Sequence, residues 1–166
     1  ATFDAGANDI TLGDDAGDTT NFGSLEVSGD TVTITEDSAT DLAGGTTTAL
    51  NLTSAGAITD SGPLTNTGTV TLNADGGAAD ITLDEGDNDF SLASVSAANN
   101  VTLVDANDID LGTSTVSGTL EVNAGENIGF SDLTADNLTV SNGGDTVQKA
   151  ETTLQVANNA SLNATG

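Results

Sequence analysis

The residues of this chain that could do chemistry are carboxylates. Its 166 residues include 26 Asp and Glu, one cation (Lys149), and no His, Cys, Met, Trp or Tyr. The missing His and Cys remove the usual ligands of zinc, copper, haem and iron–sulfur sites. Calcium takes about six to eight oxygen ligands from acidic loops. The sequence therefore predicts no required cofactor, and its calcium candidates are seven residues in two loops: Asp14, Asp15, Asp18, Asp84, Glu85, Asp87 and Asp89.

Paired carboxylates could also hydrolyse a polysaccharide, which requires two carboxyl groups about 5 to 9.5 Å apart. Enzymes that act on acidic sugars generally need Lys or Arg to bind the substrate, and those that act on neutral sugars usually offer aromatic platforms. This chain has one cation and 2% aromatic residues. We therefore predict that it is not an enzyme, and a polysaccharide-active β-helix enzyme is the second alternative.

The formal net charge of −25 also limits the partners of the chain. It leaves no basic surface for the phosphates of nucleic acid or for anionic lipid headgroups. No apolar run approaches the roughly 20 residues that span a bilayer, so we predict neither nucleic-acid binding nor direct membrane insertion. The negative surface should oppose lateral aggregation, while end-to-end pairing remains possible through backbone hydrogen bonds.

Short triplets of apolar, polar and apolar residues should position the acidic loops, because this period of two is typical of strands with one buried face. Val101, Leu120 and Leu138 begin three such triplets at separations of 19 and 18 positions. Within the first unit a second strand begins 8 positions later at Ile109, and another apolar residue, Val116, follows. The chain therefore repeats a unit of three short strands.

This repeat predicts an all-β fold, a parallel β-helix (β-solenoid) with about three short strands per turn of 18–20 residues and insertions at the corners. An antiparallel sandwich also has many short strands but does not predict this period. About eight turns would form a rod on the order of 40 Å long. The residue pairs that we expect to point inward are Leu50/Leu52, Val70/Leu72, Val101/Leu103, Ile109/Leu111, Leu120/Val122 and Ile128/Phe130.

Two further patterns concern the surface of the predicted rod. The order of triplet, acidic loop and phenylalanine occurs at Phe22 and again at Phe90, which predicts that equivalent corners bulge alike. Threonine recurs at the middle of the strands, as in some ice-binding solenoids, but its β propensity explains the recurrence better. Asn51, Glu26, Asp110 and Glu121 also occupy central positions and interrupt such an array.

The repeat unit, quoted from residues 50–58, 101–111 and 120–130, is similar to the short repeats of filamentous haemagglutinin-type exoproteins, which are large bacterial surface adhesins. The resemblance covers most of residues 8–147 and implies a right-handed parallel β-helix. It also implies an extracellular location at the bacterial cell surface and a role in an adhesin or a biofilm matrix. The secretion-domain signature of such proteins and an Arg-Gly-Asp receptor motif are absent from the sequence.

Together these observations predict that residues 1–166 form a single β-solenoid segment, uncapped at both ends, within a longer fibre or stalk. The predicted function is a structural or adhesive repeat of a bacterial extracellular fibre, a stiff acidic rod that can stack end to end. Its expected partners are adjacent repeats or copies of itself, and cell-surface or matrix glycans. The first alternative is a module that binds calcium, glycans or both.

Overall fold

The computed structural model describes residues 1–165 of the chain. Strands make up 63% of the chain, and residues 1–165 contain no α-helix, only a 3₁₀ turn at Asp75–Gly77. No helix in this described part is long and apolar enough to cross a membrane. The strands are β1 (Thr2–Asp4), β2 (Ile10–Leu12), β3 (Leu25–Glu36), β4 (Thr40–Ser54), β5 (Ile58–Asp60), β6 (Leu64–Ala74), β7 (Ile81–Leu83), β8 (Asp89–Ala97), β9 (Val101–Asp105), β10 (Ile109–Leu111), β11 (Ser114–Thr115), β12 (Thr119–Ala124), β13 (Ile128–Phe130), β14 (Leu133–Asn142), β15 (Thr146–Gln148) and β16 (Leu154–Ala164).

The strands pair in parallel, each with the strands one coil before and one coil after it. Val101 of β9 lies opposite Ile81 of β7 on one side and Leu120 of β12 on the other, and Leu120 then pairs with Leu138 of β14. The result is a parallel β-solenoid of about eight coils. The sequence prediction of this fold is confirmed, and the antiparallel sandwich is excluded.

The core is a narrow apolar column inside the coils, because alternate residues of each strand point inward. On β9, Val101 and Leu103 are buried, whereas Thr102 between them and Val104 after them are only half-buried. The six inward pairs predicted from the sequence are all buried. Stacking the same inward positions on successive coils joins them into one cluster that runs through the molecule. Each coil therefore adds apolar contacts only to its neighbours.

Strand length differs from coil to coil along the solenoid. The coil that contains β9, β10 and β11 has three short strands, as predicted. Between residues 25 and 97, however, β3, β4, β6 and β8 continue across corners and reach 9 to 15 residues. β4 bends at Gly44 and Gly45, both with positive φ. A Cβ on Gly45 would overlap the carbonyl oxygen of Val27, so only glycine fits this bend.

Candidate functional site: the corner carboxylates

The first acidic loop lies between β2 and β3. Asp14, Asp15 and Asp18 line one open, shallow pocket together with Asp37 of the next coil. The backbone N–H of Asp15 donates to Asp18 Oδ2 at 3.4 Å, and the N–H of Thr20 donates to Asp37 Oδ2 at 2.8 Å. The structure thus brings the three predicted residues together, and two of the four carboxylates accept hydrogen bonds from the chain itself.

The second acidic loop lies between β7 and β8 and is organised by Asp60, a residue that sequence reasoning did not single out. Asp60 Oδ1 accepts the N–H of Asp84 at 2.9 Å. Its Oδ2 accepts the N–H of Glu85 at 3.3 Å and the side-chain amide of Asn88 at 2.7 Å. Asp84, Glu85 and Asp87 therefore lie on a loop that Asp60 holds against β5, one coil earlier, and Asp89 is the first residue of β8.

The seven calcium candidates do not converge on one point. Within residues 1–165 no three His, Cys, Asp or Glu side chains are already gathered around one point in the way that a preformed metal site requires. The first loop follows the face of β2, whereas the second follows the face of β7, and these faces belong to different sides of the coil. The prediction that the two loops occupy equivalent corners is therefore wrong, because triplets of identical sequence (Ile-Thr-Leu) stand on two faces.

Both loops nevertheless end in the same way, with a phenylalanine whose backbone N–H donates to a buried carboxylate. Phe22 donates to Glu36 Oε1 at 2.6 Å, and Phe90 donates to Asp105 Oδ2 at 2.7 Å. Glu36 and Asp105 are only 1% and 3% exposed. Each is the last residue of the strand that stacks directly on the triplet before its loop, and each lies two residues beyond the last apolar inward residue of that strand. This alternation is the sequence signal that could have revealed both residues.

The two buried carboxylates have further hydrogen bonds that hold them in place. Glu36 accepts the hydroxyl of Thr40 at 2.8 Å and that of Ser38 at 3.2 Å. Asp105 Oδ1 accepts the N–H of Asn107 at 2.9 Å. Burial raises the pKa of Asp105 above its ordinary value, because the loss of hydration outweighs the bonds from Phe90 and Asn107. No buried side-chain nitrogen or oxygen in the described residues lacks a partner.

The tight corners without insertions use exposed Asp and Asn side chains instead. Asp108 Oδ1 accepts both the backbone N–H and the side-chain amide of Asn127 one coil later, at 2.7 and 2.8 Å. Asn127 Oδ1 in turn accepts the N–H of Asp145 at 2.7 Å in the following coil. These residues immediately precede β10, β13 and β15, so the side chains form a ladder along the rod axis.

A second ladder runs from Asp80 and Asn100, which precede β7 and β9, to Thr119, the first residue of β12. Asp80 Oδ1 accepts the N–H of Asn100 at 2.9 Å, and Asn100 Oδ1 accepts the N–H of Thr119 at 3.0 Å. The hydrogen bond from the Asn100 backbone, followed by that from the Asn99 side chain, lowers the pKa of Asp80. The corner carboxylates therefore act mainly as hydrogen-bond acceptors that connect one coil to the next.

Comparison with protein families places this architecture in a known group of repeats. Residues 28–96 and 98–132, well over half of the chain, match the family model described as repeats of unknown function (DUF5649). The chain belongs to this family. The break between the two DUF5649 matches falls at Ala97, the last residue of β8. Searches of curated proteins and of solved structures found no match.

Proposed function

We propose that this DUF5649 segment is a structural rod within a bacterial extracellular fibre or surface adhesin and is not an enzyme. The observation that carries the proposal is the unbroken stack of about eight parallel coils around one apolar column. Because adjacent coils share both backbone hydrogen bonds and buried side chains, bending the stack would break both. A stiff spacer is the function that this arrangement suits best.

The corners support the same proposal. Asp60, Glu36 and Asp105 use their oxygens to accept hydrogen bonds from neighbouring coils or loops. Carboxylates engaged in this way contribute to the cohesion of the rod and are poorly placed to exchange protons with a substrate. The single cation, Lys149, forms an exposed ion pair with Asp110 at 2.8 Å. It is therefore already engaged at the surface rather than held free in a substrate cleft.

The resemblance to filamentous haemagglutinin-type repeats supports an extracellular location at the bacterial surface. Adjacent repeats, or copies stacked end to end, are the proposed partners, and cell-surface or matrix glycans are the proposed ligands of the fibre. The net charge of −25 keeps such a fibre hydrated and separate from other acidic polymers.

Immunogold electron microscopy tests this proposal in the native material. An antibody raised against residues 1–166 should label extracellular filaments on intact cells and in shed matrix. Diffraction from those filaments should show an axial repeat near 4.8 Å, the strand spacing. Label confined to the cytoplasm, or to globular particles, would contradict the rod.

Calcium binding is the second candidate function, and the pocket around Asp14, Asp15, Asp18 and Asp37 is the observation that favours it. Calorimetry with the wild-type chain and with Asp15→Asn/Asp18→Asn tests it. Saturable calcium uptake by the wild type that disappears in the variant would establish the site. Under the rod proposal we expect no saturable uptake and an unchanged thermal midpoint in chelator.

A further inference from the structure

One face of this highly acidic rod carries no charge. It consists of the outward residues of segments 31–35, 49–53, 69–73 and 92–94, which belong to β3, β4, β6 and β8 on four consecutive coils, and we call it the uncharged face. None of its residues is buried, and within residues 1–165 it contains neither an acid nor a base. Its members are Thr31, Thr33, Thr35, Ala49, Asn51, Thr53, Thr69, Thr71, Asn73, Leu92 and Ser94.

The uncharged face is also regular. Its central column runs in continuous register from Thr33 to Asn51, Thr71 and Ser94. The shift of β4 against β6 and one shift of β6 against β8 lie before these residues, and a second shift of β6 against β8 lies at the edge of the face, between Leu72 and Asn73. Side chains on the face therefore form rows about 4.8 Å apart along the rod axis.

Glu26 and Glu121, two of the acids expected to interrupt a threonine array, lie outside this face, whereas Asn51 lies at its centre. Glu121 belongs to the column of Thr82, Thr102 and Thr139 on another side of the coil. Glu26 pairs with Gly44 at the bend of β4. The structure therefore separates the carboxylates from the uncharged face more completely than the linear sequence suggests.

Neighbouring surfaces of the coil carry acids in equivalent outward positions. The column of Thr59 and Thr82 begins at Asp41 and continues to Glu121. At the rim of the uncharged face, Asp110 pairs with Leu92. Two copies that approached through the Asp41 column would bring like charges together, which costs free energy. The Thr, Asn and Ser side chains of the uncharged face let two acidic rods touch without this cost.

We propose that the uncharged face is where a second copy of this chain docks side by side. Thr, Ser and Asn carry both hydrogen-bond donors and acceptors, so the face is complementary to itself. In an isologous pair the centre of the face, Asn51, lies near the two-fold axis and opposite its own copy. Under this proposal, negative charge opposes lateral association on the sides of the rod that carry acids but not on the uncharged face.

The size of the face sets the strength of the pairing. Segments of about five residues on four strands present a surface of about 300 Å². A stable complex buries about 800 Å² on each partner. A pair of single segments therefore associates weakly and transiently. In a longer rod each additional contact becomes intramolecular and the contacts add up. The role of the face in bundling thus rests on the proposed rod function, whereas the pairing of two segments does not.

Cross-linking in solution tests the pairing, and the absence of native cysteine makes the experiment clean. Asn51→Cys places a thiol at the centre of the uncharged face, and Thr139→Cys places an equally exposed thiol at the middle of β14 on another side. A short bis-maleimide is added in about 0.5 M NaCl, which shortens the screening length to a few ångströms. Rates are normalised to the reaction of each thiol with a monofunctional maleimide.

The expected result is dimer formation at least about tenfold faster for Asn51→Cys than for Thr139→Cys, because only the first thiol meets its own copy. Adding Thr71→Asp to Asn51→Cys should abolish this advantage, whereas Thr82→Asp, which adds the same charge on the other face, should preserve it. Circular dichroism melts confirm that each variant is folded. Equal rates for the two thiols, or equal effects of the two aspartates, would overturn the proposal.

The result of the cross-linking experiment is independent of the immunogold test of the rod. Labelled filaments together with equal cross-linking rates would leave the rod function standing and remove the lateral contact. Selective cross-linking without labelled filaments would retain the contact between segments and remove the fibre.

Discussion

Corners with acidic insertions and corners without them connect successive coils by carboxylates in opposite environments. Asp105 is buried, and it receives the N–H of Phe90 from the end of an insertion. Asp108, only three residues later, is exposed and receives two hydrogen bonds from Asn127 of the next coil. The buried acids hold loops that would otherwise leave backbone N–H groups unsatisfied, whereas the exposed ladders close corners that are already tight.

This difference explains how the rod tolerates insertions. A long loop displaces the chain from the column and must return at a defined point before the next strand. The buried carboxylate of Glu36 or Asp105 fixes that point, because an unpaired N–H at the edge of the core would cost about 1 to 3 kcal/mol. A tight corner has no such return point to define, and water can replace the side-chain hydrogen bonds of its ladder. We therefore expect the two corner types to differ in energy and in response to pH.

The largest effect is expected from a mutation in the apolar column, which both types of corner share. Leu103 is buried two residues before Asp105, and a carboxylate at this position would have no partner. Leu103→Asp should abolish cooperative unfolding, measured by circular dichroism, with a loss above about 4 kcal/mol. Thr102→Asp, the matched variant on the outward side of β9, should retain a cooperative melt. A cooperative melt of Leu103→Asp at the wild-type midpoint would show that the inward register is wrong.

The second prediction concerns the buried corner alone. Asp105→Ala leaves the N–H groups of Phe90 and Asn107 without their acceptor and should lower the free energy of unfolding by about 1 to 3 kcal/mol. Asp87→Ala removes an exposed acid from the same insertion and should have no comparable effect. Urea denaturation measures both values. Equal free energies of unfolding for the two variants would mean that Asp105 does not hold the loop.

The third prediction addresses the exposed ladder. Asn127→Ala removes the side-chain hydrogen bonds to Asp108 and from Asp145 and keeps the backbone bond to Asp108. Water can reach the groups that are left, so the expected loss is about 1 kcal/mol or less. Asn123→Ala, an exposed position on the same coil, serves as the control. A loss larger than that of Asp105→Ala would reverse the ranking of the two corner types.

The smallest expected effect is a pH response of opposite sign at the two corners. The raised pKa of Asp105 means that the folded chain binds this proton more readily than the unfolded chain. Its contribution to stability is complete below pH 3.8 and is lost as the pH rises through the raised value. Asp80 has a lowered pKa, so its contribution is present above pH 3.8 and is lost on further acidification.

Urea denaturation between pH 7 and pH 3 can separate these two responses. Relative to Asp105→Asn, the wild-type chain should gain stability as the pH falls from neutral toward 3.8. Relative to Asp80→Asn, it should lose stability below 3.8. Differences that run in the same direction for both variants would contradict the contrast between a buried and an exposed acceptor.

The sequence predicted those features that depend on local periodicity. The triplet at Val101 and its repeats at Leu120 and Leu138 indicated the buried column and the coil length, because alternation and spacing are properties of the chain itself. The roles of Asp60, Glu36 and Asp105 depend on which coil lies beside which loop, and insertions of different length obscure that register. For the same reason the uncharged face became visible only when four separate strands were aligned.

Distances between spin labels along one column test the central claim, a stiff stack of coils, most directly. Thr59, Thr139 and Ser161 lie on one outward column, with Thr139 four coils and Ser161 five coils beyond Thr59. Electron–electron resonance of label pairs at Thr59→Cys/Thr139→Cys and Thr59→Cys/Ser161→Cys should give narrow distributions that differ by about 4.8 Å, one strand spacing. Broad distributions, or equal mean distances for the two pairs, would contradict a stiff rod.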